Sequence, residues 1–267
     1  MTTKTKACRH GIFAYSPADK FIGAALDRYG EYSEIEVQAL LALLPPNGVA
    51  VDVGANIGCI TVPLASKARF VVAFEPQRIT FQHLCANLAL NGLRNVYAVP
   101  AGVGRKSGLV KIAQADFDAP QNVGSARMIE DAAGETTFLY RLDDYLGPCH
   151  LIKIDVEGME LDVIEGARHT IATHRPALSI EADRSEQAPP VIALLRGLGY
   201  RVWWFLSPLY NPANFAGDSE NAWPNILAIN LLALPEGREP PGSFKLFRAL
   251  DGDTFEKLKA RQTRTGD

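Results

Sequence analysis

Asp155-Val156-Glu157-Gly158 follows directly on the apolar run Leu151-Ile152-Lys153-Ile154, so two carboxylates stand where a buried strand opens into a helix. Glu181 closes the next apolar run, Ala177 to Ile180, and adds a third. Three convergent carboxylates suit either a general base of raised pKa in a crowded acidic pocket, or oxygen ligation of a divalent cation by Asp155, Glu157 and Glu181. Plainer roles stand beside these. Asp155 could cap the following helix, and Glu157 could complement its N-terminal dipole. Lys153 is costly to bury unpaired. It shares a pleat face with Asp155, two residues on, and either pairs with a carboxylate there or extends its stem to solvent.

A second constellation lies upstream. Val49-Ala50-Val51-Asp52-Val53 reads as a buried parallel strand, and Gly54-Ala55-Asn56-Ile57-Gly58 as the tight turn that leads into a helix from Ile57. After a second apolar run, Glu75 stands where a carboxylate accepts hydrogen bonds from both ribose hydroxyls of an adenosine; its plainer role is a cap before Pro76. The dinucleotide fingerprint places glycine at the first, third and sixth positions of such a turn, and here those are Gly54, Asn56 and Cys59. Two missing glycines argue against NAD or FAD. S-adenosylmethionine (SAM) has no pyrophosphate to cradle, and its sulfonium and amino-acid end match a carboxylate at Asp52 and free turn amides, with Asn56 on the methionine moiety.

The elements that must position these residues alternate. Strands are expected at 49–53, 70–74, 95–100, 150–154, 177–181, 200–206 and 225–230. Helices are expected at 34–44, about 57–67, about 78–91, 159–173 and 189–198. This predicts a doubly wound α/β domain with a mostly parallel seven-stranded sheet and helices on both faces. Residues 104–145 break the rhythm and read as an inserted β-hairpin with a loop, 115–134. A second Pro/Asn/Gly-rich loop spans 207–224, and both loops are free to recognise a substrate at the rim where the strands end. The layout divides into an N-terminal arm and helix (1–44), the catalytic domain (45–234) and a charged tail (235–267).

VDVGANIG, AFEP, LIKIDVEGMELDVIEGA and NILAI, in that order, resemble the FkbM-type SAM-dependent methyltransferases, from about Tyr29 to Leu234. The resemblance implies a Rossmann-like class I methyltransferase fold and methylation of a hydroxyl oxygen on a sugar, a glycan or a secondary metabolite. It places Gly102 at the adenine edge. It matches Tyr29-Gly30-Glu31-Tyr32 to the family's segment ahead of the domain, where Tyr32 would either close over the methionine end or simply pack. Met159 departs from the family, which often carries histidine after Glu-Gly.

Composition narrows the class. The 267 residues carry a net charge of -3 and no basic cluster, which gives no footprint for nucleic acid or an anionic membrane. The N-terminus lacks the apolar core of a signal peptide and no run is long enough to span a bilayer, so a soluble cytoplasmic protein is the expectation. Cys8, Cys59, Cys85 and Cys149 form no CxxC pair, and Cys59 and Cys85 are expected on buried helical faces. His83, His169 and His174 fall on expected helices as surface or satisfied residues. Trp203-Trp204-Phe205 reads as a buried strand, or as a ring that stacks on a sugar near Ser207. Two rivals remain: a nicotinamide-dependent oxidoreductase, and a SAM-binding module without catalysis.

Overall fold

A computed structural model describes residues 2–113, 134–184 and 186–265. The chain opens with an antiparallel hairpin, β1 (Lys4–Cys8) and β2 (Gly11–Tyr15), then helices α1 (Ile22–Tyr29) and α2 (Glu34–Leu43). Next come β3 (Val49–Val53), α3 (Thr61–Lys67), β4 (Phe70–Phe74), α4 (Arg78–Leu90) and β5 (Val96–Val99). The rhythm breaks at β6 (Ala101–Val103), β7 (Gly108–Ile112) and β8 (Glu135–Tyr140), which form a separate small sheet in the order β6-β8-β7. It returns with α5 (Leu142–Tyr145), β9 (Leu151–Ile154), α6 (Glu160–Gly166), α7 (Arg168–His174), β10 (Ala177–Glu181) and α8 (Ala188–Gly197). β11 (Tyr200–Pro208), β12 (Leu227–Pro235), β13 (Leu246–Arg248) and α9 (Phe255–Thr265) complete the described chain.

The main sheet has eight strands in the order β13-β11-β12-β10-β9-β3-β4-β5, parallel from β10 to β5 and antiparallel at β12. The eighth strand is β13, contributed by the charged segment after residue 235. Its Arg248 faces Trp203 across the ladder, and the following α9 seats Phe255 and Leu258 in the core. Trp203, Trp204 and Phe205 are all buried and offer no stacking platform, and Trp204 Nε1 donates to Asp253 at 3.1 Å.

Alternation along the strands decides what each face holds. Val51, Val53, Ile152, Ile154 and Ile180 join the core under α6 to α8, whereas Ala50 and Leu151 join the core under α2 and α3. The same alternation puts Asp52, Lys153 and Ser179, a row across the ladders with Lys153 between the other two, on the α2 and α3 side.

Several elements depart from expectation. The arm before Gly30 is built into the fold: Asn91 exchanges two 2.8 Å hydrogen bonds with the Ile12 backbone, and the fully buried Asn87 bonds Ala14 N, Ala14 O and Ile57 O. Helix 159–173 breaks at Ala167, where Asp143 accepts from His169 N and Thr170 N and so starts a new helix. Residues 54–60 are turn, not helix, because Asn56 and Gly58 hold φ of +50° and +95°. Cys85 is exposed. Residues 115–133 of the expected loop lie outside the described residues. Among those described, no helix is long and apolar enough to cross a membrane.

Candidate functional site

The carboxyl ends of β3, β4, β9 and β10 meet at one rim, around a cavity of about 170 Å³; the next one described holds about 10 Å³. The large cavity is therefore where a small molecule fits. Its wall includes Gly54, Asn56, Glu75, Gly102, Tyr32, Lys153, Asp155, Glu157 and Glu181.

At one end lies the glycine turn. Gly54 has φ +83°, and a Cβ there would fall 1.8 Å from Asp155 O, so only glycine lets β3 and β9 close up. Glu75 is buried and accepts from Asn56 N and Gln77 N at 2.9 Å, one bond to each carboxylate oxygen. Burial outweighs those bonds and lifts its carboxyl to about 7. Gly102 lies against Leu139 of the small sheet, 2.6 Å from where its Cβ would be. Asp52 and Gly58 are not in the wall. Asp52 is fully buried beneath the turn, where it accepts from Thr61 Oγ1 at 2.6 Å and approaches Lys153 at 3.8 Å; Gly58 packs against Leu84. Asp52 therefore acts from behind the cavity, as a brace for α3 and Lys153.

Against the turn, where Lys153 Nζ also reaches Gly54 O at 3.5 Å, lie the charges. Lys153 Nζ donates to Asp155 at 2.9 Å and stands on the pleat face expected from its spacing. Burial opposes its charge, but Asp155, Asp52 and Glu36 outweigh it and hold the ammonium above the usual lysine range. Burial would likewise raise Asp155, yet the Lys153 charge and hydrogen bonds from Glu181 and Lys153 keep it below the usual carboxylate range. Glu181 goes the other way: burial, then the charges of Asp155 and Asp183, push it well above. The result is a carboxylate beside a carboxyl that keeps its proton. Glu157 adopts φ +56° and accepts from Arg184 Nη2 at 2.6 Å, so its charge is spent on that pair. Asp155 caps no helix; the N-cap of α6 is Met159, which makes no side-chain cap bond. Among the described residues no three His, Cys, Asp or Glu side chains assemble a metal site, because Lys153 and Arg184 occupy two of the three expected ligands.

A family model for the methyltransferase FkbM domain matches residues 52–202, more than half of the chain. This chain belongs to the FkbM methyltransferase family. Methyltransferase 1 of Beauveria bassiana (strain ARSEF 2860) is 27% identical over 151 residues, covering 47% of this chain and 61% of its own. Methyltransferase sdnD of Sordaria araneosa is 29% identical over 166 residues, covering 47% and 62%. This FkbM chain thus spans about three-fifths of the length of those curated relatives. Among solved structures, Trm5b from Pyrococcus abyssi aligns over 88% of this chain and 56% of its own, with a TM-score of 0.51 and 13% identity. An FkbM methyltransferase from Methylobacillus flagellatus KT aligns over 74% and 50%, with a TM-score of 0.47 and 20% identity. At 13% identity the likeness to Trm5b is one of fold, and this FkbM chain has the Rossmann-like class I methyltransferase fold.

The FkbM motifs do not announce every residue at the site. Ahead of the matched segment, Glu36 of α2 and Ser33 at its N-cap line the cavity, and Asn230 lines it from β12. Burial raises the Glu36 carboxyl, which Lys153 faces and the Ser33 hydroxyl bonds at 2.9 Å. Glu36 had a readable signal, a carboxylate on the apolar side of an amphipathic helix. Arg184 had none, because its pairing with Glu157 depends on how two rim loops meet.

Around Tyr32 the chain is clamped to loop 207–224. Glu31 accepts from Arg9 Nε at 2.6 Å, Phe215 N at 2.8 Å and Asn211 Nδ2 at 2.9 Å, and Tyr29 Oη bridges Glu220 O and Ala222 N.

Proposed function

We propose that the chain binds SAM at the Gly54 to Gly58 turn and transfers its methyl group to a hydroxyl oxygen of a sugar, a glycan or a secondary metabolite. One observation carries this reading: Asp155, paired with Lys153 at 2.9 Å, and Glu181 line the same cavity as the turn. The residues fit the cofactor. Each Glu75 oxygen has one backbone partner and a second lone pair left for a ribose hydroxyl, Gly54 lets backbone approach, and the acidic wall suits a sulfonium cation. When bound, SAM supplies an electrophilic methyl carbon.

The chain's own residues supply the rest. Asp155, whose side chain is 38% exposed, accepts a hydrogen bond from the acceptor hydroxyl and orients its oxygen towards the methyl carbon. As the C–O bond forms and the C–S bond breaks, the hydroxyl proton passes to the Asp155–Glu181 pair. Lys153 stays protonated throughout and keeps a negative charge on that pair until the proton arrives. Glu157, held by Arg184, shapes the rim. Tyr32, whose hydroxyl is pushed up by burial and then by Asp155 and Glu36, remains a neutral phenol over the charged end.

Calorimetric titration of chelator-treated protein with SAM, using NADH as control, tests this. Micromolar SAM binding, about 8 kcal/mol, is expected. Binding of NADH alone would return the oxidoreductase. SAM binding with no turnover on any sugar or polyketide acceptor would leave a non-catalytic module. Asp155→Asn is expected to lower turnover far more than SAM affinity.

A further inference from the structure

β5 closes one end of the main sheet, and its outer edge is bare among the described residues. Val71 N donates to Asn95 O and Glu75 N to Val99 O, so the backbone of Asn95, Tyr97 and Val99 faces β4. The alternation of the ladder then turns the N–H and C=O groups of Val96 and Ala98 outward, where no described residue pairs with them. Such an edge is a template for another strand.

The side chains beside this edge are apolar. Tyr97 leaves β5 on the face of Val72, where it is a hydrogen-bond partner of Tyr145. The Tyr145 ring lies 4.8 Å from that of Tyr140, and Tyr140 lies 4.8 Å from Phe138. Leu109 stands opposite Phe138 in the β7 to β8 ladder. The result is one band across both sheets, in which Leu109 is 73%, Tyr97 56% and Phe138 37% exposed, with Tyr140 and Tyr145 half-buried. Charged neighbours are engaged elsewhere: Lys111 donates to Gly134 O at 3.1 Å, and Arg141 holds Asp143 at 3.0 Å. At about 200 Å² for a large side chain, the band leaves on the order of 400 Å² in water, a size that marks interaction sites.

We propose that the chain forms a two-fold dimer in which β5 pairs antiparallel with β5 of a second copy. With Tyr97 on the axis, Val96 stands opposite Ala98 of the second copy, and each such pair exchanges both of its hydrogen bonds, so every outward group is satisfied. The two Tyr97 side chains form a close pair on one face and bring the two bands together. A second copy fits better than a charged partner, because the band carries no charge to repel its own image and the register repeats itself about the axis. Two bands and the joined edges hide about 1,000 Å², the small end of specific interfaces, which corresponds to a micromolar dimer. The opposite face of the small sheet carries Ile112 and Leu139 into the cavity wall, so the second copy backs that wall from outside. The pairing is independent of what the cavity binds.

Sedimentation equilibrium from about 1 to 100 μM brackets such an affinity. The mean mass of the wild type is expected to rise from the 29.0 kDa of one chain towards twice that value. Ala98→Pro removes an outward N–H that the ladder to β4 does not use, a change that a sheet edge tolerates. It is expected to stay at the mass of one chain with an unchanged melting temperature. Leu109→Lys, at the most exposed position of the band, is expected to weaken the dimer about tenfold or more. In the wild type the Val96 and Ala98 amides, which have no acceptor among the described residues, are expected to exchange several-fold more slowly at the highest concentration than at the lowest. A wild type that stays monomeric throughout overturns the proposal. So does a dimer that survives in a folded Ala98→Pro, or that Leu109→Lys leaves unweakened. So does a dimer whose Val96 and Ala98 amides exchange as freely as those of the monomer, and this readout holds whether or not either variant folds.

Discussion

Glu75→Gln separates the charge of the rim carboxylate from its shape. The wild-type carboxyl is lifted to about 7 in the folded protein, mainly by burial, against an ordinary value of 4.5. A carboxyl raised in this way binds its proton more tightly when folded than when unfolded. Its contribution to stability is therefore fully present below pH 4.5 and is lost as pH rises through about 7. At about 1.4 kcal/mol per pH step, the loss over that window is roughly 3 kcal/mol. Glutamine has no proton to lose and stays flat. Urea unfolding of both proteins at half-unit steps from pH 4.5 to 8, without cofactor, gives the comparison. The wild-type advantage over the variant is expected to shrink steadily by most of that amount, while Glu36 and Glu181, common to both, cancel in the difference. A difference that does not change with pH would refute the reasoning, and would mean that the bonds from Asn56 N and Gln77 N already keep the carboxylate charged at pH 5. The same titration reaches function. Ribose hydroxyls donate to a carboxylate better than to a carboxyl, so SAM affinity in the wild type is expected to rise between pH 6 and 8 and to be weak and flat in the variant.

Lys153→Met removes the cation between Asp52, Asp155 and Glu36, and is expected to cost on the order of 3–5 kcal/mol in urea unfolding; a neutral outcome would show that water, not Lys153, satisfies those carboxylates. Gly54→Ala meets both a left-handed backbone and the Asp155 carbonyl, so soluble protein with unaltered SAM affinity would contradict the close approach of β3 to β9. Glu31→Gln weakens three hydrogen bonds, two that fasten loop 207–224 and one from Arg9. A loss of about 2 kcal/mol, with faster proteolysis within that loop, is expected, and an unchanged cleavage rate would show the clamp to be incidental.

The strands at 49–53, 70–74 and 177–181 have the bounds their apolar runs imply, because those runs are buried on both faces and end at glycine or a charge. The glycine turn was readable for the same reason: its glycines, its asparagine and Glu75 are close in sequence and each has a local job. The rest depends on long-range meetings. β1 reads Lys-Thr-Lys-Ala-Cys with little apolar surface, and the hairpin is held by Asn87 and Asn91 from more than 70 residues away. Glu36 and Asn230 line the cavity only when α2 packs on the sheet face and β12 pairs with β10. Asp52, two residues before Gly54, lies near the turn in sequence but points under it, because strand alternation sends its side chain to the α3 side, onto Thr61.

Asn87 has a further consequence, for how loosening spreads through the molecule. Its one amide ties Ala14, Ile57 and α4 together, so the glycine turn is joined to the first strands of the chain through a residue that neither belongs to. Without those strands Asn87 loses both of its bonds to Ala14, and its hold on Ile57 O slackens with them. Removing residues 1–15 is expected to leave the β-sheet amides protected from hydrogen exchange while those of residues 54–60 open.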